Sequence, residues 1–488
     1  MAMLVYALVF TALSIYRHEV YSSSRFDLGN MDQAVWNSSE GRILEATNEA
    51  GEITSRLKNH ADFLLLAYVP LYWVWASPYW LLISQSIVVG LGAIPLYLLC
   101  KRFLGGVSGR EWPAAFISIA YLFNEGIQSA NLFDFHPQTM AGTFLLFAFY
   151  YLLERRLLAF VVAATLAALT KEGIVLIVAM MGLYAVFVQR RPRWGIPIFL
   201  LGAGYFLLTV QVIIPYFNAG ESSRLVAERY EVLGGSFGGF VGKFISDPLF
   251  VVGYALSGDK VLYLVGLIGL GGVLGLLAPE LLLLPVSETA INLLSARPQM
   301  SNIHYQYSAP IIPFMYLATA AGLGRLVRGS LALRERSAAF ARRFSRAALA
   351  GSLPVMLALW VLLFNVYMDL SYGPLPISRF GDENPVVMKS LAPERVANVD
   401  EAVSLIPAGA KVSASNWIGP HLAHRRYLYL FPVIKDADYV VVDLARPSYY
   451  TSVNRDKGQK VLDRLNEESS GYRMIFGKDN VAVFEKKD

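Results

Sequence analysis

Ten polar side chains stand beside long apolar runs, where ionisable groups are costly and tend to be functional. Asp27 and Asp32 lie five residues apart in Arg25-Phe26-Asp27-Leu28-Gly29-Asn30-Met31-Asp32-Gln33. His60 follows Asn59, and Asp134 and His136 share the turn Phe133-Asp134-Phe135-His136-Pro137. Lys171 and Glu172 interrupt a hydrophobic stretch of over thirty residues, and Arg297, His304 and Tyr305 lie in a further polar turn. Charges placed so deep imply that these side chains face a polar cavity. Each also has a structural reading. Asp27 would pair with Arg25, and Asp32 would sit in a helix first turn where Asn30 and Gln33 fit a capping box. His60 beside Asp62 would open a helix, Asp134 would orient His136, and Pro137 would start the next helix. Lys171 and Glu172 would pair with each other, Glu288 with Asn292, and His304 would join Tyr305 and Tyr307 in an aromatic belt. His421 and His424 flank a strand and read as surface residues.

The elements that must position these groups follow from composition. The 488-residue chain is 55% hydrophobic and only 16% charged, with a mean hydropathy of +0.45. A soluble domain carries roughly 25% charged residues, so an ordinary soluble enzyme is excluded, and the apolar runs exclude disorder. A net charge of +5, dispersed along the chain, does not suggest a nucleic-acid partner. The single Cys100 rules out an intrachain disulfide. The fold expected is an all-α polytopic membrane protein.

Eleven spans are expected, over 3–16, 79–100, 112–129, 137–153, 157–170, 173–189, 194–214, 261–277, 279–294, 308–324 and 348–369. The short, Trp- and Tyr-rich segment 61–76 reads as an interfacial helix. The transmembrane domain is then 1–369, with a first outer loop at 17–78 and a second at 215–260. Loops 101–110, 154–156, 190–193 and 325–346 hold fifteen Lys and Arg residues, which predicts a cytoplasmic N-terminus and an extracytoplasmic C-terminus. The polar residues above then share the outer face. The tail, 370–488, reads as a small α/β domain with strands at 411–415, 427–430, 438–444, 472–476 and 481–485 and helices at 397–405 and 455–468. Residues 478–480 would turn a hairpin. The sequence contains no P-loop, nucleophile elbow, HExxH or dinucleotide fingerprint. The glycines at 234, 235, 238 and 239 lack the strand–turn–helix context of a phosphate loop.

The Arg25–Gln33 motif, with Asn59-His60, Phe135-His136-Pro137, Lys171-Glu172, His304-Tyr305, Ile406-Pro407 and Asp438-Tyr439, resembles an uncharacterised family of bacterial and archaeal membrane proteins grouped with the GT-C glycosyltransferases. The resemblance covers most of the chain. It implies transfer of a sugar from a polyprenyl-phosphate carrier in the membrane to a glycan, lipid or protein acceptor on the outer face of the plasma membrane, with inversion at the sugar. On that resemblance Asp27 would be the general base. Asp32, which does not form the adjacent acidic pair of many relatives, would be a second catalytic candidate. Lys171, His304 and Arg297 would stabilise the departing phosphate. His60, Asp134, His136, Glu172 and Tyr305 would bind substrate, the acids and histidines either through sugar hydroxyls or through a divalent ion, Mg or Mn. The groove between 61–76 and the bundle would hold the lipid tail. A transporter, or a degenerate GT-C core without catalysis, is the alternative, and Glu288 with the Pro279 and Pro285 interruptions favours it.

Overall fold

A computed structural model of the chain describes residues 1–220, 224–386, 392–445 and 455–487. Most of the N-terminal part is helical. Three helices are long and apolar enough to cross a membrane: Tyr79–Phe103, Pro192–Phe217 and Ala348–Tyr372. Pro248–Ala255 and Asp259–Gly271 pass the same test together but meet at a 63° bend. The remaining expected spans are shorter or broken. The 112–129 segment divides into Glu111–Leu122 and Glu125–Leu132, because Asn124 caps a new helix by accepting from the Ile127 amide at 3.1 Å. The expected 279–294 span divides into Pro279–Leu282 and Val286–Leu294. Pro285 stands at the break, where it supplies no backbone donor. Eleven unbroken spans are therefore not what the structure shows.

Side chains such as Leu158, Phe187, Leu201 and Leu249 stand mostly exposed around the bundle, a distribution suited to lipid rather than water. Inside it, Leu145, Phe149, Phe314, Tyr316 and their neighbours form the main apolar core. Segment 61–76 becomes a tight turn, Phe63–Tyr68, leading into the helix Val69–Val74. These twelve residues reach roughly 18 Å as helix, too short for a hydrocarbon core of about 30 Å. Trp73, Val74 and Trp75 are exposed at its end.

The first loop is well structured. A π-turn, Arg25–Gly29, is capped by Ser24, whose hydroxyl accepts from the Phe26 amide. The helix Asn30–Ser39 follows, then a hairpin of β1 (Glu45–Thr47) and β2 (Ile53–Ser55). Among the described residues the second loop holds the helices Arg224–Arg229, Phe237–Ser246 and Pro248–Ala255.

The tail domain contains β3 (Val412–Ala414), β4 (Leu428–Leu430), β5 (Tyr439–Asp443), β6 (Tyr472–Lys478) and β7 (Val481–Lys486). They form one sheet in the order β4-β3-β5-β7-β6, parallel at β3–β4 and β3–β5 and antiparallel elsewhere. Helices Pro393–Ser404 and Arg455–Leu465 accompany it. The β6–β7 hairpin turns at Asp479 and Asn480, both at positive φ, as a two-residue turn of matching twist requires.

The tail is fastened to the first loop. Tyr21 belongs to the same apolar cluster as Val399, Val412 and Val483. Gly29 and Gly419 allow the close approach: a Cβ on Gly419 would lie 2.6 Å from Arg25 Cγ, and one on Gly29 3.2 Å from the Pro420 Cα.

Candidate active site

Helix Pro137–Leu153 starts at a proline in its first turn, so its entry geometry is set by the preceding turn. That turn carries Asp134 at φ 55°, a left-handed conformation that Asp tolerates better than most residues. Gln85 pins it: its amide donates to the carbonyls of Asn131 (3.0 Å) and Asp134 (2.8 Å), and its oxygen accepts from the His136 amide (2.8 Å). The His136 ring stacks on Phe133, with centroids 5.7 Å apart, and Tyr305 meets Phe133 edge-on.

Asp27 faces this turn. Its Oδ1 lies 3.0 Å from His136 Nε2, and its side chain keeps 24% of its surface exposed. Arg25, the partner expected for Asp27, turns away into the tail junction. It is fully buried and donates to the carbonyls of Thr47 and Leu428. Asp134 does not orient His136 either. Its carboxylate accepts from the Ser24 amide at 2.6 Å and lies 3.8 Å from Arg17. Burial pushes its pKa up against the pull of Arg17.

Asp32 is only 1% exposed. Its Oδ1 accepts from the Tyr72 hydroxyl at 2.6 Å and lies 3.0 Å from His424 Nε2. One carboxylate thus ties the first loop to the interfacial helix and to the tail. Burial opposes the charge on His424, but Asp32 outweighs it and raises the imidazole pKa. His421 stacks on His18 with ring centres 4.1 Å apart and contacts the His18 carbonyl at 2.9 Å; burial lowers its pKa. The two tail histidines are therefore junction residues, not surface residues. Gln33 completes this seam, donating to the carbonyls of Arg425 and Arg426.

A second polar group adjoins the first through two positions of the same helix start. Gln138, two residues after His136, accepts from Lys171 Nζ at 2.7 Å and donates to Glu288 at 2.8 Å. Lys171 and Glu172 do not pair with each other. Glu172 accepts from the Ala61 amide (3.1 Å) and lies 3.0 Å from His60 Nδ1. Burial alone would raise the Glu172 pKa, but His60 and Lys171 outweigh it and hold it at about 2. Asp62, the neighbour expected for His60, is engaged by Arg56. Glu288 goes to Gln138, while Asn292 donates to Tyr263 and to the Tyr307 carbonyl. Lys171 and Arg229 both stand over the Tyr307 ring, at 5.1 and 5.9 Å.

Arg297 lies apart, in an exposed pair with Glu228 at 2.9 Å. His304 is half-buried, and desolvation lowers its pKa to about 4. It contacts Asn302 at 3.1 Å and lies 4.0 Å from Glu125. The structure thus brings Asp27 to His136, Lys171 to Gln138 and His60 to Glu172, and leaves Arg297 outside.

Sequence reasoning missed Gln85, Gln138 and Arg229, whose types carry no signal in an apolar or loop context. It also missed Glu125 and Asp369, where a signal existed: both are carboxylates inside expected spans, and each keeps one buried oxygen without a partner. Among the described residues no three His, Cys, Asp or Glu side chains come together, so the divalent ion suggested by the resemblance finds no three-ligand set there.

A helical bundle, a structured first loop and a tail domain seated on it form a GT-C-like fold. The apo crystal structure of ArnT from Cupriavidus metallidurans superimposes with a TM-score of 0.51 at 12% identity, covering 99% of this chain and 98% of that one. The same protein bound to undecaprenyl phosphate gives 0.49 at 13% identity, covering 99% and 97%. An oligosaccharyltransferase from Archaeoglobus fulgidus gives 0.42 at 10% identity, covering 100% and 74%. Residues 17–483 match the family described as "Predicted membrane protein (DUF2079)", and the chain belongs to that family. A search of curated proteins finds no match.

Proposed function

We propose that the protein is a membrane glycosyltransferase that moves a sugar from a polyprenyl-phosphate donor to an acceptor hydroxyl at the outer face of the plasma membrane. The observation that carries this reading is the pairing of a partly exposed carboxylate, Asp27, with His136, while Lys171 is held two residues further along the same helix start by Gln138. The partners of base and cation, His136 and Gln138, thereby stand together at one helix start. The GT-C-like fold supports the class of reaction.

In this reading the acceptor hydroxyl hydrogen-bonds Asp27, and its oxygen attacks the anomeric carbon from the face opposite the phosphate. The carbon–oxygen bond to phosphate breaks with inversion, and the proton passes to Asp27. His136 holds the carboxylate in place. Lys171, with Arg229 across the Tyr307 ring, balances the charge gathering on the leaving phosphate. Asp32, Arg25 and Gln33 position the loop, while Glu172 with His60 locks its far end. Arg297 has no part in this assignment, and His304 is turned to Asn302 and Glu125. No step passes through a metal ion. The transporter reading rests on Glu288, but its partner Gln138 also holds Lys171, so Glu288 joins the same cluster.

The test is release of free polyprenyl phosphate from a panel of polyprenyl-phosphate sugars by the purified protein supplied with glycan, lipid and protein acceptors, followed by mass spectrometry. The proposal expects release by the wild type and loss in Asp27→Asn. Equal release by both would remove Asp27 as base, and no turnover of any donor would remove the enzyme reading.

A further inference from the structure

Helix Leu157–Ala168 runs from the 154–156 turn to the Lys171–Glu172 turn, about 18 Å away by its length. At its start lies an open surface cavity of about 400 Å³, lined by Leu152, Trp194 and four arginines: Arg155, Arg190, Arg191 and Arg193. Among the described residues, no carboxylate pairs with any of the four. Glu154, the nearest acid in sequence, is taken by Arg102. Positive charge in such loops is common, and two other arginines of this face are held by partners. Arg325 pairs with Glu280, and Arg328 donates to the Gly105 carbonyl.

The backbone singles the cavity out as well. Arg155 and Arg190 adopt φ of 59° and 55°, following the helices Pro137–Leu153 and Val175–Phe187. This is the left-handed position that glycine usually fills after a helix. Side chains kept there cost on the order of 1–2 kcal/mol each, and both of these line the cavity. The buried Gln189 Oε1 at the same place has no partner. Helix Pro192–Leu208 begins at the cavity, so its dipole adds partial positive charge there. Beside these turns, Leu157, Leu158, Phe187 and Val188 are exposed and apolar.

A phosphate-bearing headgroup matches the arginines, and acyl chains match the apolar side chains next to them. We infer that this cavity binds the headgroup of an anionic phospholipid from the adjacent leaflet. It is a site separate from the proposed donor site, and it does not depend on that assignment.

Native mass spectrometry of the full-length protein, titrated with phosphatidylglycerol or phosphatidylcholine, tests it. The wild type should hold phosphatidylglycerol in preference. Loss of one arginine near anionic lipid costs roughly fivefold in affinity, so R190Q/R191Q/R193Q should bind on the order of a hundredfold more weakly. The equal charge loss R342Q/R343Q/R346Q should bind like the wild type. R193Q alone, expected to lose about fivefold, decides the matter if the triple variant fails to fold. Unchanged binding by the cavity variants, or equal loss in the control triple, overturns the site. Displacement of phosphatidylglycerol by millimolar inorganic phosphate overturns the lipid as its source.

Discussion

Asp27 and Asp32 lie five residues apart in one motif and lead different lives. Asp27 keeps about a quarter of its side chain exposed and shares one oxygen with His136, while Asp32 is sealed between Tyr72 and His424. The difference comes from the backbone. The π-turn at Arg25–Gly29 presents Asp27 to the 133–137 turn, and the helix after it points Asp32 toward the interfacial helix and the tail. The same side chain is left partly open to solvent in one place and serves as a tie in the other. The wider regions repeat the contrast. The loop–tail seam is a dense set of buried hydrogen bonds and ring contacts, whereas the Asp27 carboxylate is partly open to solvent.

The contrast can be broken by substitution. The largest effect expected is on Asp27→Asn, which removes the base and should lower turnover by about 10²–10⁴-fold with an unchanged melting temperature. Asp32→Asn should instead lower the melting temperature and leave the donor specificity as it was. Swapped outcomes would reverse the roles assigned to the two aspartates. Next comes Arg25→Met, which leaves the Thr47 and Leu428 carbonyls without their donor in a buried seam. A loss of about 2–4 kcal/mol in denaturant unfolding is expected, together with earlier proteolysis between the bundle and the tail. A tail that stays protected would show that the apolar contacts suffice.

Two pH effects sharpen the picture. Glu172 is held at about 2, below its ordinary 4.5, so it contributes stability above pH 4.5 that is lost as pH falls from 4.5 toward 2. Glu172→Gln should flatten that part of the stability profile. His424 has a raised pKa, so its contribution is full below 6.5 and fades as pH climbs through the raised value. Proteolytic release of the tail should therefore quicken above pH 6.5 in the wild type, and His424→Gln should remove the dependence. The smallest effect is reserved for Arg297→Ala. An exposed ion pair is worth about 0–1 kcal/mol, so stability and sugar transfer should both change little, and a large loss of transfer would return Arg297 to the site.

Much of the fold was legible in the chain. The strands of the tail appear within a few residues of their expected places, because alternating apolar residues bounded by turn residues have one way to bury a face. The long apolar helices announced themselves by composition. The break at Asn124 did not, since a cap inside an apolar run reads equally well as a tolerated exception, whereas the Pro279 and Pro285 interruptions were visible in the chain. The motif residues were also visible, but their partners were not. Arg25 was expected to meet Asp27, His60 to meet Asp62, and Lys171 to meet Glu172. In each case a residue far along the chain took the place of the neighbour.

By itself, then, the sequence determined that the chain lives in a membrane, that a small α/β unit ends it, and that polar chemistry gathers at a few turns. Apolar length, periodicity and the cost of charge near lipid are local quantities, and they can be summed along a chain. Only the tertiary structure decided that Asp27 meets His136, that Gln138 joins Lys171 to Glu288, and that the tail histidines lie in a seam with His18 and Asp32. Those pairings depend on how helices and loops distant in sequence stack, and the short reach of a hydrogen bond, about 3 Å, makes them sensitive to placements that no local pattern encodes.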